Sequence, residues 1–192
     1  ALSSAASDVY KRQLYAPLIC LEKSNLKIQV SPVALNTDEM RFVDYLKSFV
    51  DDHAAELADK SLYLLRNKSK VGMGFFEAGN FYPDYILWID TPETQYISFI
   101  DPKGLMHIRP DDPKIEFYKT IKDLETRLSP TADGKRIVLN SFIMSGTRSS
   151  DLRMWWSTPT VDADRAYREA RNVYTLDNTE CVEAMIEKIL RS

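Results

Sequence analysis

Apolar residues alternate or cluster in short runs through the middle of the chain and recur at helical spacing on either side. Tyr85-Ile86-Leu87-Trp88-Ile89 and Tyr96-Ile97-Ser98-Phe99-Ile100 are runs rich in β-branched and aromatic residues. Pro, Gly and charged residues bound both, so both read as short buried strands. Thr91-Pro92-Glu93-Thr94 between them is a turn, which makes the two strands antiparallel neighbours. Leu62-Tyr63-Leu64-Leu65-Arg66, Val71 to Glu77 and Ile137 to Ile143 are further predicted strands, with Asn67-Lys68-Ser69-Lys70 as a turn. Phe42, Val43, Leu46, Phe49 and Val50 recur with a helical period that runs to about Asp59. Asn36 followed by Glu39 has capping-box spacing at its start. Residues 115–128 form a second amphipathic helix through Ile115, Phe117, Tyr118, Ile121, Leu124 and Leu128. Thr179 to Arg191 forms a terminal one through Val182, Met185, Ile186, Ile189 and Leu190. Residues 147–177 read as polar and irregular, apart from a short helix at 162–171. The order predicts an α/β fold: a mixed sheet of four to five strands with helices on both faces.

The 192 residues suffice for one domain with a sizeable core. At 44% apolar and 28% charged, the composition is that of an ordinary globular chain. No apolar stretch reaches the roughly 20 residues of a membrane span. Cys20 and Cys181 are far apart, and His53 and His107 are the only histidines. That is too few ligands for a zinc site, and it points to a reduced, intracellular setting without disulfides. The net charge of −3 argues that, if DNA is the substrate, this domain supplies little of the affinity.

Two parts of the N-terminal region stand outside the globular pattern. Residues 1–13 are small and polar and end in Asp8-Val9-Tyr10-Lys11-Arg12-Gln13. Back-translated as GAT GTG TAT AAG AGA CAG, this matches the mosaic end of a transposon used in shotgun sequencing libraries. The segment therefore reads as translated sequencing adaptor, the alternative being a disordered tail, and is set aside from fold reasoning. Residues 14–35 read as an extended connector, and residues 36–192 as the folded domain.

The chemistry concentrates at the ends of the two central strands. Asp84 opens one of them, and Asp101-Pro102-Lys103 closes the other. Two carboxylates about 4 Å apart repel by roughly 4 kcal/mol at an effective dielectric of about 20, unless a cation lies between them. With no soft ligand nearby, the cation implied is magnesium or manganese. On a strand, residues two apart face the same side, so Lys103 joins Asp101 in one pocket. Either half alone reads as a structural turn; the two together carry the functional reading.

Pro83-Asp84 with Asp101-Pro102-Lys103 resembles the PD-(D/E)xK nuclease superfamily. The longer string from Phe75 to Ile89, with Phe99-Ile100-Asp101-Pro102-Lys103-Gly104-Leu105, is similar to the C-terminal endonuclease domain of type III restriction subunits and related DEAD/DEAH-box helicase–nucleases. Leu14 to Leu18 and Ser31 to Asn36 look like the segment that joins helicase to nuclease there. The resemblance implies a restriction-endonuclease-like sheet and a magnesium-dependent DNA endonuclease of restriction–modification and phage defence. It implies Asp84 and Asp101 as metal ligands, with Pro102 contributing its carbonyl, and Lys103 as the catalytic lysine. In this superfamily an acidic residue on the first helix often completes the site. Glu39 is the first candidate and Glu77 the second, with the capping-box place of Glu39 a sufficient explanation in itself.

His107, Arg109, Arg148 and Arg153 are candidate DNA phosphate contacts by position. Trp155 and Trp156 are either base-stacking or core residues. No GxxxxGK[ST] loop is present, so in this reading ATP is used only through a missing helicase domain of the same polypeptide. A methylation and specificity subunit would be the further partner, and a prokaryotic cytoplasm the setting. Two rival readings remain at this level: a non-catalytic docking module of the same fold, and a structure-specific nuclease on branched DNA or RNA.

Overall fold

The structure is a computed structural model, described over residues 35–67, 72–75, 79–157 and 160–192. Five strands form one mixed sheet in sequential order: β1 (Ser61–Arg66), β2 (Tyr85–Asp90), β3 (Thr94–Lys103), β4 (Arg136–Ser145) and β5 (Val173–Thr175). The first three make an antiparallel meander, and β4 and β5 each join in parallel. Parallel neighbours need crossovers. Helix α2 (Pro113–Glu125) lies between β3 and β4 in the chain, and α3 (Ser149–Trp156) with α4 (Val161–Glu169) between β4 and β5. Helices α1 (Thr37–Asp52) and α5 (Glu180–Arg191) flank the whole. This is the α/β arrangement that the hydrophobic pattern predicts.

Strand alternation sorts the core into two sides. Tyr85, Leu87 and Ile89 of β2, Tyr96 and Ile100 of β3, and Val138, Phe142 and Met144 of β4 pack with Phe42, Val43 and Leu46 of α1 and Val182, Met185, Ile186 and Ile189 of α5. The residues between them turn to the opposite side. There Ile86, Phe99 and Leu139 meet Phe117 and Ile121 of α2. Ile143 and Val173 continue that side against Ile115, Leu152 and Trp156. The two periodicities thus interlock, and β3, central in the sheet, is covered on both faces.

The helix boundaries correct several sequence expectations. Helix α1 stops at Asp52, well before Asp59. Its last turn carries Asp51 and Asp52 and no basic residue, the wrong sign for the negative end of a helix. His53 closes it instead, its backbone N–H bonding the Phe49 carbonyl and its ring stacked on Phe49 at 4.3 Å. Helix α2 begins on an Asp112 cap with Pro113 in the first turn and ends before Leu128, which is exposed. Ser129-Pro130 follows, and a residue preceding proline resists the helical region. Within 147–177 the expected short helix is present as α4, but the rest is not irregular: it also holds α3 and β5. Of the predicted strand at Val71 to Glu77, only residues 72–75 are described; there Phe75 makes an isolated bridge to Phe81. Among the described residues no helix is long and apolar enough to cross a membrane.

Candidate functional site

Three elements bring their ends to one place: the start of β2, the end of β3 and the first turn of α1. An open cleft of about 460 Å³ there is lined by Asn36, Thr37, Asp38, Glu39, Asp84, Pro102 and Lys103. Local bonds explain each position. Asn36 caps α1 by accepting from the Asp38 and Glu39 amides, each at 2.9 Å, while Glu39 Oε2 accepts the Asn36 amide at 3.0 Å. The capping box read from sequence is therefore present in full. It also fixes Glu39, whose Oε2 lies 3.3 Å from Arg66 Nη2 at the end of β1.

Asp84 is held by its backbone. The Asn67 amide donates to the Asp84 carbonyl at 2.7 Å, and Asn67 Nδ2 donates to the Pro83 carbonyl at 2.8 Å. The same Nδ2 donates to the Met73 carbonyl at 2.7 Å, and Asn67 Oδ1 accepts the Met73 amide at 3.0 Å. One asparagine thus ties the end of β1 to both segments that precede β2. Its part was not visible in the sequence, where Asn67 reads only as the first residue of a turn.

Asp101 and Lys103 leave the same side of β3, as the spacing of two predicts. The Lys103 ammonium is paired with Asp101 Oδ2 and lies 5.6 Å from the centroid of the Phe81 ring. The Asp101 side chain is 8% exposed and that of Lys103 is 23% exposed, so the pair is withdrawn from solvent yet open on the lysine side. Asp84 is half-buried next to Asp101. Burial first, then the Asp101 and Glu39 charges, push its carboxyl up to about 7, against the opposing pull of Lys103. The excess of negative charge at this point is what the sequence argument anticipated.

The donors fit a hard divalent cation. Asp84 and Asp101 offer carboxylate oxygens, Pro102 borders the same cleft, and the push on Asp84 marks negative charge that one ammonium does not balance. Among the described residues no group of three or more His, Cys, Asp or Glu is gathered tightly enough to hold a metal alone. The fit is therefore to an ion that keeps much of its water and takes one or two carboxylates, the habit of magnesium. Glu39 stands at the cleft wall and acts on Asp84 through its charge, while its Oε2 serves the helix cap and Arg66. Glu77 lies outside the described residues.

The predicted DNA contacts separate into different environments. His107 and Arg109 sit in the loop that leaves β3 after Lys103; Arg109 is spent on Asp111 at 3.0 Å, both side chains well exposed. Arg148 is the residue before α3 and is exposed. Arg153 lines a second cavity, of about 290 Å³, between α3, α4 and the start of α5. That cavity shares no residue with the carboxylate cleft and is walled by the buried Arg168–Asp164 ion pair at 2.8 Å. The tryptophans divide: Trp156 is 8% exposed and belongs to the core, whereas Trp155 is 42% exposed.

One acid at the cleft, Asp38, was not singled out by the sequence. Asp38, beside Glu39, packs its carboxylate against Gly146 at the end of β4, where an added Cβ would overlap it. A side chain at that position would require the Asp38 carboxylate to turn aside.

Comparison with protein-family models, with curated proteins and with solved structures returned no match. The functional reading therefore rests on the residues and their geometry.

Proposed function

We propose that this domain is a magnesium- or manganese-dependent DNA endonuclease of the PD-(D/E)xK kind. The observation that carries the reading is the gathering of Asp84, Asp101 and Lys103 from two antiparallel strands, with Asp84 and Lys103 lining the cleft and Asp101 buried beside them. Asp84, Asp101 and the Pro102 carbonyl would hold the cation. Bound there, the cation supplies Lewis acidity toward the scissile phosphate. Lys103, kept in place by Asp101 and by the Phe81 ring, presents a fixed positive charge toward the charge that develops on phosphorus. The half-buried setting strengthens that interaction relative to water. In its native context the domain would serve as the cleavage module of a type III restriction-like helicase–nuclease. There a helicase motor uses ATP, a methylation subunit selects the site, and the setting is a prokaryotic cytoplasm.

The test is cleavage of plasmid DNA by the purified chain with magnesium. Activity should appear with magnesium or manganese and vanish with chelator. Asp84→Ala, Asp101→Ala and Lys103→Ala should each lower the rate about a hundredfold or more with circular dichroism unchanged. Full cutting by a folded Asp101→Ala protein would defeat the proposal. The engagement of Glu39 by the helix cap and by Arg66 favours a second reading, a docking module without catalysis. A well-folded wild type inert on duplex, branched DNA and RNA with either metal would support it.

A further inference from the structure

The loop between β3 and α2 begins directly after Lys103, and its fastening to α3 is unusual. Both indole N–H groups of the tryptophan pair donate to one acceptor, the Ile108 carbonyl: Trp155 Nε1 at 3.2 Å and Trp156 Nε1 at 2.9 Å. Trp156 reaches that carbonyl from inside the core. Trp155 reaches it from outside and leaves 42% of its surface in solvent. The ring is further fixed by the imidazole of His107, edge-on at 5.0 Å between centroids and 79° between planes. His107 holds a left-handed backbone at φ 70°, a conformation that a histidine adopts at some energetic cost. An exposed indole with its one polar atom already satisfied and its orientation fixed has nothing to offer but its flat apolar surface.

The surroundings say what that surface fits. Met106 and Met154, in the same two segments, are 47% and 76% exposed, soft apolar groups that adapt to a planar partner. Arg148 precedes the same helix and is exposed, and Arg109, in the same loop, is exposed and paired with Asp111. The Leu105 amide donates to Thr147 Oγ1 at 2.8 Å, joining the loop to the segment after β4. The platform therefore stands at the same end of β3 as Asp101 and Lys103. A flat aromatic surface with an exposed arginine beside it, tied to the loop that leaves the strand of Asp101 and Lys103, matches a nucleotide whose base is unstacked.

We propose that Trp155, set by Ile108 and His107, is a stacking platform for an unpaired base of the strand entering the carboxylate cleft. The preferred substrate is then DNA with a frayed or single-stranded nucleotide beside the cleaved phosphate. In continuous duplex the base faces are already stacked on one another, and an indole meets only a terminal or extruded base. This rests on the nuclease reading for the substrate class, and the two are separable by experiment.

The full chain is titrated in chelator with a thymidine oligonucleotide of about twelve nucleotides, following tryptophan fluorescence and oligonucleotide anisotropy. Trp155→Leu should weaken binding roughly tenfold and remove most of the quenching. Trp155→Phe, which keeps a stacking face and loses the bond to Ile108, should bind within a few-fold of wild type. Equal affinity of wild type and folded Trp155→Leu overturns the platform, as does loss of binding in Trp155→Phe equal to that in Trp155→Leu. Cleavage with magnesium is then compared on blunt duplex and on duplex with an unpaired end. A chain that never cleaves but binds through Trp155 removes the nuclease reading and leaves the platform. A chain that cleaves both substrates equally, with and without Trp155, removes the platform and leaves the nuclease.

Discussion

Asp84 carries the most informative single charge in the molecule. Its ordinary carboxyl would titrate near about 4, and in the fold it is pushed up to about 7, chiefly by burial and then by Asp101 and Glu39. Between those two values the folded state holds a proton that the unfolded state has released. Stability therefore falls as pH rises through about 4 to about 7, and the full penalty persists above. In chelator the chain should melt at a lower temperature at pH 8 than at pH 5, and Asp84→Asn should flatten that slope. Magnesium at pH 8 should raise the melting temperature of the wild type and leave that of Asp84→Asn unmoved. Parallel slopes in the two proteins would remove Asp84 as the cause. Gly146 gives a second residue-scale expectation. Because a Cβ there overlaps the Asp38 carboxylate, Gly146→Ala should turn that carboxylate aside at the wall of the cleft. A loss of no more than about 1 kcal/mol in denaturant unfolding is expected, because the carboxylate is the end of a mobile side chain; a larger loss would show that it is held in place.

At the scale of elements, the site depends on β1 as much as on the strands that carry its acids. Arg66 holds Glu39, and the next residue, Asn67, holds the Pro83–Asp84 backbone. Asn67→Ala would leave the Pro83 and Met73 carbonyls without the amide donor they share. It should cost about 1–3 kcal/mol and reduce cleavage while the sheet remains intact by circular dichroism. Unchanged cleavage would show that the segment before β2 is held by other means. The same contrast explains what the sequence could reveal. β2, β3, β4 and the capped start of α1 were legible because each writes a period or a motif into adjacent residues. Asn67 was not, since it acts on backbone atoms 16 residues away. Helix α3 was missed because it buries only Leu152 and Trp156 and has no side-chain cap, and β5 because it has only three residues. The ends of α1 and α2 were overrun because periodicity continues past the charges and the proline that stop them. The meeting of Asp84, Asp101 and Lys103 was legible from an antiparallel turn and a spacing of two. The division of labour between Trp155 and Trp156 required the fold.

For the whole molecule, charge decides how the proposed substrate would be held. Lysine and arginine total 25 against 28 acids, and several arginines are paired with acids, Arg66 and Arg168 in buried or half-buried settings. Arg66 is paired with Glu39, Arg109 with Asp111, Arg165 with Glu169, Arg168 with Asp164 and Arg191 with Glu187. Each phosphate contact that releases a counterion adds about 0.9 to the slope of log affinity against log salt. With acids outnumbering cations overall, the slope for this chain on duplex DNA should be small, about 2–3 in magnitude. Affinity should be weak at about 0.15 M salt, in the range of non-specific binding. A base stacked on Trp155 adds a contribution that salt does not screen. Single-stranded oligonucleotide should therefore lose less affinity than duplex as salt rises from about 0.05 to about 0.2 M. Filter binding or anisotropy over that range measures both slopes. A steep slope with tight duplex binding would mean that the chain presents a basic surface its pairing pattern does not show. It would return the source of affinity to this domain instead of to a motor or specificity partner.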